Sequence, residues 1–158
     1  MDIALQLTVE NLLARYTHAI DDDQLEAWPD FFVEGARYHI TTAENHERGL
    51  PLSLVHADSR AMLRDRVNAL RHANVYEAQR YRHVFSAVLV ERIDMQTVRA
   101  VSSFQVVRIM HSGEATLFAS GRCIDRIHLA GENGQAQFEE RLVILDSRRV
   151  DTLLAIPL

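Results

Sequence analysis

Four long runs of β-branched and aromatic residues fill the second half of the chain, at residues 84–93, 98–110, 116–129 and 137–150. Turn signals separate them at residues 94–96, 111–114 and 131–134. Three of the runs exceed ten residues, against about 5–6 for an ordinary strand. Strands that long must twist and coil, so they predict a curved antiparallel meander. The first half reads differently. Leu5, Val9, Leu12, Tyr16 and Ile20 recur at helical spacing over residues 3–20, and the acidic run Asp21, Asp22, Asp23 stops the helix. Asp23 and Glu26 have capping-box spacing for a second short helix over residues 24–32, limited by Pro29. Trp28, Phe31 and Phe32 supply its apolar bulk, Gly35 ends it, and residues 37–41 read as a short strand. Residues 42–57 read as a loop with one apolar run, Leu52 to Val55.

Helices first and a meander of long strands afterwards define an α+β plan, with N-terminal helices packed on one face of the sheet. A mostly antiparallel sheet curved that strongly makes a half-open cone, whose hollow would hold any ligand. The 158 residues fit a single domain, 1–158, able to bury roughly 70% of the surface exposed by the unfolded chain. No apolar run approaches the ~20 residues of a membrane span, so no membrane partner is expected. The start of the chain lacks a basic segment and a cleavage site, and its one cysteine, Cys123, rules out an internal disulfide. Both features suit the cytoplasm. A net charge of −5 argues against nucleic acid as a general partner.

Residues 58–83 join the two halves. Asp58 or Ser59 can cap a helix whose Leu63, Val67 and Leu70 share one face, widened by Met62, Ala69 and Ala73, with Asn74 near its end. The opposite side carries Arg60, Arg64, Arg66 and Arg71, followed by Arg80 and Arg82, and only Asp65 and Glu77 answer them locally. All 17 basic residues of the chain are arginine. Its planar fork favours bidentate, interface-type ion pairs. These arginines are therefore expected to be fixed by pairing rather than by solvent.

Chemistry-bearing constellations are few. His56-Ala57-Asp58 has the His-x-Asp spacing of two-histidine, one-carboxylate iron sites, with His83, His111 or His128 as a possible third ligand. It lies at a helix start, where Asp58 is better employed as the cap, so no metal is expected. His18 with the acidic run, or His39 on its strand, could face the hollow and serve a dehydratase or isomerase. With eight histidines in the chain, an ordinary core or surface histidine is the better reading. Cys123, within a long strand, reads as a buried and inert thiol. No glycine-rich phosphate loop occurs, and one cysteine excludes zinc and iron–sulfur sites of the usual kind. The apolar ending, with Leu153, Leu154, Ile156 and Leu158, either folds back on the core or docks against a partner.

Several stretches together resemble the small (β) subunit of aromatic-ring-hydroxylating, Rieske-type dioxygenases. They are Trp28-Pro29 with Phe31-Phe32, Glu44-Asn45-His46-Glu47 with Gly49-Leu50, and Asp58-Ser59 with Met62-Leu63. Asp65-Arg66-Val67, Tyr76-Glu77, Arg80-Tyr81-Arg82-His83, and the ending Asp151-Thr152-Leu153 with Pro157-Leu158 extend the likeness almost end to end. Within that family the chain looks closest to subunits serving carboxylated aromatics such as terephthalate, anthranilate or salicylate. The resemblance implies a cone-like fold of the nuclear transport factor 2-like and scytalone dehydratase-like kind, shared with ketosteroid isomerase. It implies a non-catalytic assembly subunit with no cofactor of its own. The Rieske 2Fe-2S cluster and mononuclear iron would sit on a partner large (α) subunit. A homotrimer of this chain would stand within a three-plus-three hexamer, with Arg60, Arg64, Arg66, Arg71, Arg80, Tyr81, Arg82 and His83 as the pool of structural and subunit contacts. Two readings from other classes compete: a pocket enzyme using His18 or His39, and a small-molecule binding module.

Overall fold

The computed structural model describes residues 2–72, 79–149, 154 and 156–158. Helix α1 (Ile3–Asp21) is capped by Asp2, whose carboxylate accepts from the Leu5 N–H at 3.1 Å. It buries Leu5, Val9, Leu12, Leu13, Tyr16, Ala19 and Ile20, the stripe that the spacing predicts. A 3-10 helix, Leu25–Phe31, follows in place of a capping-box helix. Asp23 lies at φ +58° and, like Glu26, sends its carboxylate to Arg71. Neither side chain remains to cap.

Strand β1 (Phe32–Thr42) runs straight through Gly35, which the sequence reading made a terminator. Its register on the neighbouring strand shifts between Phe32 and Arg37, so Gly35 sits in a bulged segment. Thr42 caps a short helix, α2 (Ala43–Glu47), by accepting from the Asn45 N–H. Strand β2 (Val55–Ala57) pairs with β1. Both elements occupy a stretch read from sequence as loop. Helix α3 (Arg60–His72) buries Leu63, Val67 and Leu70 as expected, but Met62 is exposed. The expected contributions of Ala73, Asn74, Tyr76 and Glu77 lie outside the described residues, as do those of residues 151–153.

The long strands are β3 (Gln79–Arg92), β4 (Thr97–Met110), β5 (Ala115–His128) and β6 (Gln137–Leu145). The last is shorter than the run 137–150 suggests; just past its end Asp146 still meets Ser120, through its backbone N–H to the Ser120 carbonyl and through its carboxylate, which accepts from Ser120 Oγ. One sheet results, in the order β2-β1-β6-β5-β4-β3. All its pairs are antiparallel except β1 with β6. Bulges bend it at Ser86/Leu89, where Ala87 takes φ +51°, at Val106/Val107 and at Arg126/Ile127. Gly121 lies so close to the next strand that a Cβ there would strike the Ile144 carbonyl. The curved sheet wraps α1 and the 3-10 helix as a cone. Among the described residues, no helix is long and apolar enough to cross a membrane.

Candidate functional site

The hollow of the cone is packed with side chains. Tyr16, Trp28, Phe32, Tyr38, Phe104 and Phe138 are all buried there, and most of their ring contacts are edge-to-face at centroid separations such as 5.2 Å for Trp28 and Tyr38. At the centre lies Arg141, fully buried on β6. Its guanidinium carbon sits 4.5 Å from the Tyr16 ring centroid, 4.8 Å from Phe138 and 5.0 Å from Phe85. Its Nη1 donates to Asp125 Oδ2 at 2.8 Å and its Nη2 points at Cys123 Sγ at 3.4 Å. Asp125 and Arg141 are direct cross-strand partners on β5 and β6. Burial pushes the Asp125 carboxyl up to about 6, against the pull of the Arg141 charge. Burial likewise pushes the Cys123 thiol up to about 12. The inert, buried cysteine expected from sequence is what the fold holds.

The mouth of the hollow is closed by the C-terminal residues. Leu158 is buried; its backbone oxygen accepts from the Tyr16 hydroxyl at 2.7 Å and from the Tyr38 hydroxyl at 3.3 Å. The Leu158 N–H donates back to Tyr38 at 3.0 Å, and Trp28 Nε1 donates to Tyr16 at 3.1 Å. Burial pushes the Tyr38 phenol up to about 12, so both tyrosines stay neutral donors at ordinary pH. Of the two fates weighed for the apolar ending, Leu158 takes the fold-back.

Beside this plug stands a buried pair that links α1 to β3. His83 Nδ1 lies 2.7 Å from Asp21 Oδ1, the His83 backbone N–H also donates to that carboxylate, and His83 Nε2 faces the Pro157 carbonyl at 3.0 Å. Side-chain exposure is 0% for His83 and 1% for Asp21. A ring that faces an acceptor on each side has no nitrogen left for a substrate proton. The pair edges a cleft of about 480 Å³ between α1 and β3, also lined by His18, Arg82 and Phe85. His18 is exposed, and no hydrogen bond or ion pair joins it to Asp21 among the described residues. His39 lies elsewhere, on β1 beside β2.

The arginine-rich stretch divides by where each guanidinium goes. Arg60 is buried; its Nε and Nη2 both donate to the Phe32 carbonyl, at 2.8 and 2.6 Å, and its Nη1 to Glu132 at 3.0 Å. Arg71 clamps α3 to the 3-10 helix through both oxygens of Asp23 and both of Glu26. Arg66 donates to the Leu154 carbonyl at 3.4 Å. Arg64 and Arg82 remain largely exposed, with long contacts of 3.8 Å to Asp30 and 3.6 Å to Asp21. Arg80 is exposed, while Tyr81 is buried with its ring edge-on to Phe118 at 5.5 Å. The acids that answer these arginines come from other elements, which the local sequence could not disclose.

Arg71 holds the Glu26 carboxyl down, from 4.5 to about 2. A carboxylate lowered in the folded state stabilises above its unfolded value and loses that contribution as pH falls through its folded one. Arg71→Gln is therefore expected to destabilise the chain above pH 4.5, with the gap to wild type closing toward pH 2. Urea midpoints of both proteins across that window measure it. A gap independent of pH would show that packing of the arginine stem, not its charge, holds the clamp.

The His-x-Asp pair finds a third neighbour that the sequence reading did not assign. It is His39, in place of His83, His111 or His128. His56 Nε2 lies 2.6 Å from Asp58 Oδ2, and His39 Nε2 lies 3.4 Å from Asp58 Oδ1. Nor does Asp58 cap α3. The Met62 N–H donates to Ser59 Oγ at 3.2 Å, so Ser59 has that role. The hydrogen bond to His56, then that to His39, lowers the Asp58 carboxyl below its ordinary range.

A curved sheet closed on its helices, with a filled interior and a sealed mouth, is the frame of a cone-type α+β subunit. Residues 15–152 match the family described as ring hydroxylating beta subunit, and the chain belongs to that family. It is 42% identical over 145 residues to the subunit beta 2 of the terminal oxygenase component of terephthalate 1,2-dioxygenase from Comamonas sp.. That alignment covers 92% of this chain and 93% of the relative. It is 35% identical to the anthranilate 1,2-dioxygenase small subunit from Burkholderia cepacia, across 99% of this chain and 96% of the relative. Among solved structures, one described as the β subunit of an aromatic-ring-hydroxylating dioxygenase from Novosphingobium aromaticivorans superimposes with a TM-score of 0.88. It is 34% identical and covers 99% of this chain and 97% of its own. A protein from the same organism described as a scytalone dehydratase shares the fold at a TM-score of 0.72 and 13% identity, covering 98% of this chain and 93% of its own. The cone read from the strand lengths is thus the observed fold class.

Proposed function

We propose that the chain, acting as one domain in the cytoplasm, is the non-catalytic assembly subunit of a multicomponent dioxygenase that dihydroxylates aromatic acids. The observation that carries this reading is the filled hollow: in a family of β subunits, the interior of the cone is occupied by Arg141 and its aromatic ring contacts. The chemistry present supports it. A Rieske cluster takes two cysteines and two histidines, and the only cysteine here is buried against Arg141. The 2Fe-2S cluster and mononuclear iron then belong to a large subunit, with three copies of each chain in the assembly. Likeness to terephthalate and anthranilate dioxygenase subunits supports a carboxylated aromatic as the substrate class. The rival pocket enzyme needs a free acid–base pair, and Asp21, which lines the same cleft as His18, is already taken by His83 and Arg82.

Among the arginines, Arg60 and Arg71 are spent inside the chain, whereas Arg64, Arg80 and Arg82 present charge outward to neighbouring subunits. The test is co-expression with the large subunit, sized by light scattering and assayed on terephthalate, anthranilate and benzoate. Expected results are turnover by the complex, none by this chain alone, and a shift of Arg82→Ala toward smaller species. Dehydratase or isomerase turnover by the isolated chain, abolished by His18→Ala or His39→Ala, would overturn the reading.

A further inference from the structure

We propose that His39, His56 and Asp58 form a site for one divalent transition-metal ion of the zinc class, on the outer face of the β1–β2 edge. Strand geometry builds the cluster before any rotamer is chosen. His39 and His56 are directly opposite one another in the β1–β2 register, which places their side chains side by side on one face. Asp58 follows His56 by two, so it projects to that same face. Buried neighbours on both strands, Tyr38 and Ile40, Val55 and Ala57, point the other way. Rotamers complete the arrangement. The two imidazole rings lie 4.2 Å apart at 33°, and both Nε2 atoms turn toward the one carboxylate. The ligand atoms of the three residues lie within 4.8 Å of one another.

Two imidazoles and a carboxylate suit zinc, cobalt, nickel or copper rather than calcium or magnesium, which take all-oxygen sets. Each ring presents its Nε2 to the shared carboxylate. His56 and Asp58 are exposed and His39 is 24% exposed at its side chain, so an ion enters from solvent, and water completes its shell. The cleft between α1 and β3 does not include these residues. The site therefore offers structural stapling rather than a substrate chamber: the ion would tie the three-residue β2, the start of α3 and β1 together. The sequence expectation of no metal rested on the place of Asp58 at the helix start and, for zinc, on the single cysteine; Ser59 takes the cap, and this donor set uses no thiolate.

The test is calorimetric titration of the tag-free full chain with Zn²⁺, with Co²⁺ absorption as a spectroscopic reading of the ligand set. One equivalent should bind with a micromolar Kd. His39→Ala and His56→Ala should each weaken it by about 10–100-fold or more, the loss typical when even a ligand's support is removed. Asp58→Asn should weaken binding and change the Co²⁺ bands. His111→Ala, an exposed histidine outside the cluster, should bind as wild type does. Circular dichroism of each variant checks that the fold is kept. Absence of saturable binding in the micromolar range, or wild-type affinity in the His39→Ala and His56→Ala proteins, overturns the proposal.

Discussion

Arg141→Ala is expected to lower the unfolding free energy by about 3–5 kcal/mol, the usual cost of stripping one partner from a buried ion pair. The variant leaves Asp125, itself buried, without the cation that pairs with it. It also removes the guanidinium from three aromatic rings. The pair is not fully satisfied even in the native fold. Asp125 Oδ1 and Arg141 Nε are buried without a hydrogen-bond partner among the described residues. Replacing both partners by apolar groups of similar size, Arg141→Met with Asp125→Val, should therefore recover most of the loss. Chemical denaturation of the two single variants and the double variant measures all three values. If Arg141→Ala cost under about 1 kcal/mol, the range of a solvated surface pair, water would have to reach the guanidinium and the hollow would not be dry.

A loss of about 2–5 kcal/mol is also expected for Asp21→Ala, because each buried donor left without its acceptor costs about 1–3 kcal/mol. Here the stranded groups are the His83 ring and the His83 backbone N–H, both held by Asp21. The variant should loosen the junction of α1 with β3 and the seat of Pro157 together, because His83 bridges them. Hydrogen exchange at the β3 amides, read beside the denaturation midpoint, tests the mechanism. Protection lost only at the α1 end would show that His83 keeps its place without the carboxylate. Wild-type stability would mean that the pair is ornamental and that Asp21 is available for other chemistry.

The parts of this architecture that were legible in the sequence are those written in local periodicity. Leu5, Val9, Leu12, Tyr16 and Ile20 marked the buried face of α1, and the long β-branched runs marked the curved sheet. The Arg141–Asp125 pair escaped because charged residues on a strand read as solvent-facing. A signal was present nonetheless. Asp125 alternates with Cys123 and Ile127, and Arg141 with Val143 and Leu145, all buried on one face. Each charge thus fell in an apolar row, and the β5–β6 register sets the two rows opposite one another. The partners of Arg60 and Arg71 were illegible for another reason. Glu132 and Asp23 are separated from them by 72 and 48 residues, and only the tertiary fold brings them near. His39 met His56 through β2, a strand of three residues that is too short to show a period.

The seal over the hollow also sets the order in which the molecule can be made. The hydrogen bond from Tyr16 to Leu158 spans 142 positions and that from Tyr38 spans 120. A growing chain can wind α1 early, but its tyrosine hydroxyl has only water to donate to until residue 158 has left the ribosome. Loop closures of that length, added to a sheet whose β1 must wait for β6 to pair in parallel, give a high contact order and slow final consolidation. Until then the ring-lined interior stands open to water, so this is the interval in which the nascent subunit most needs a chaperone or a prompt partner.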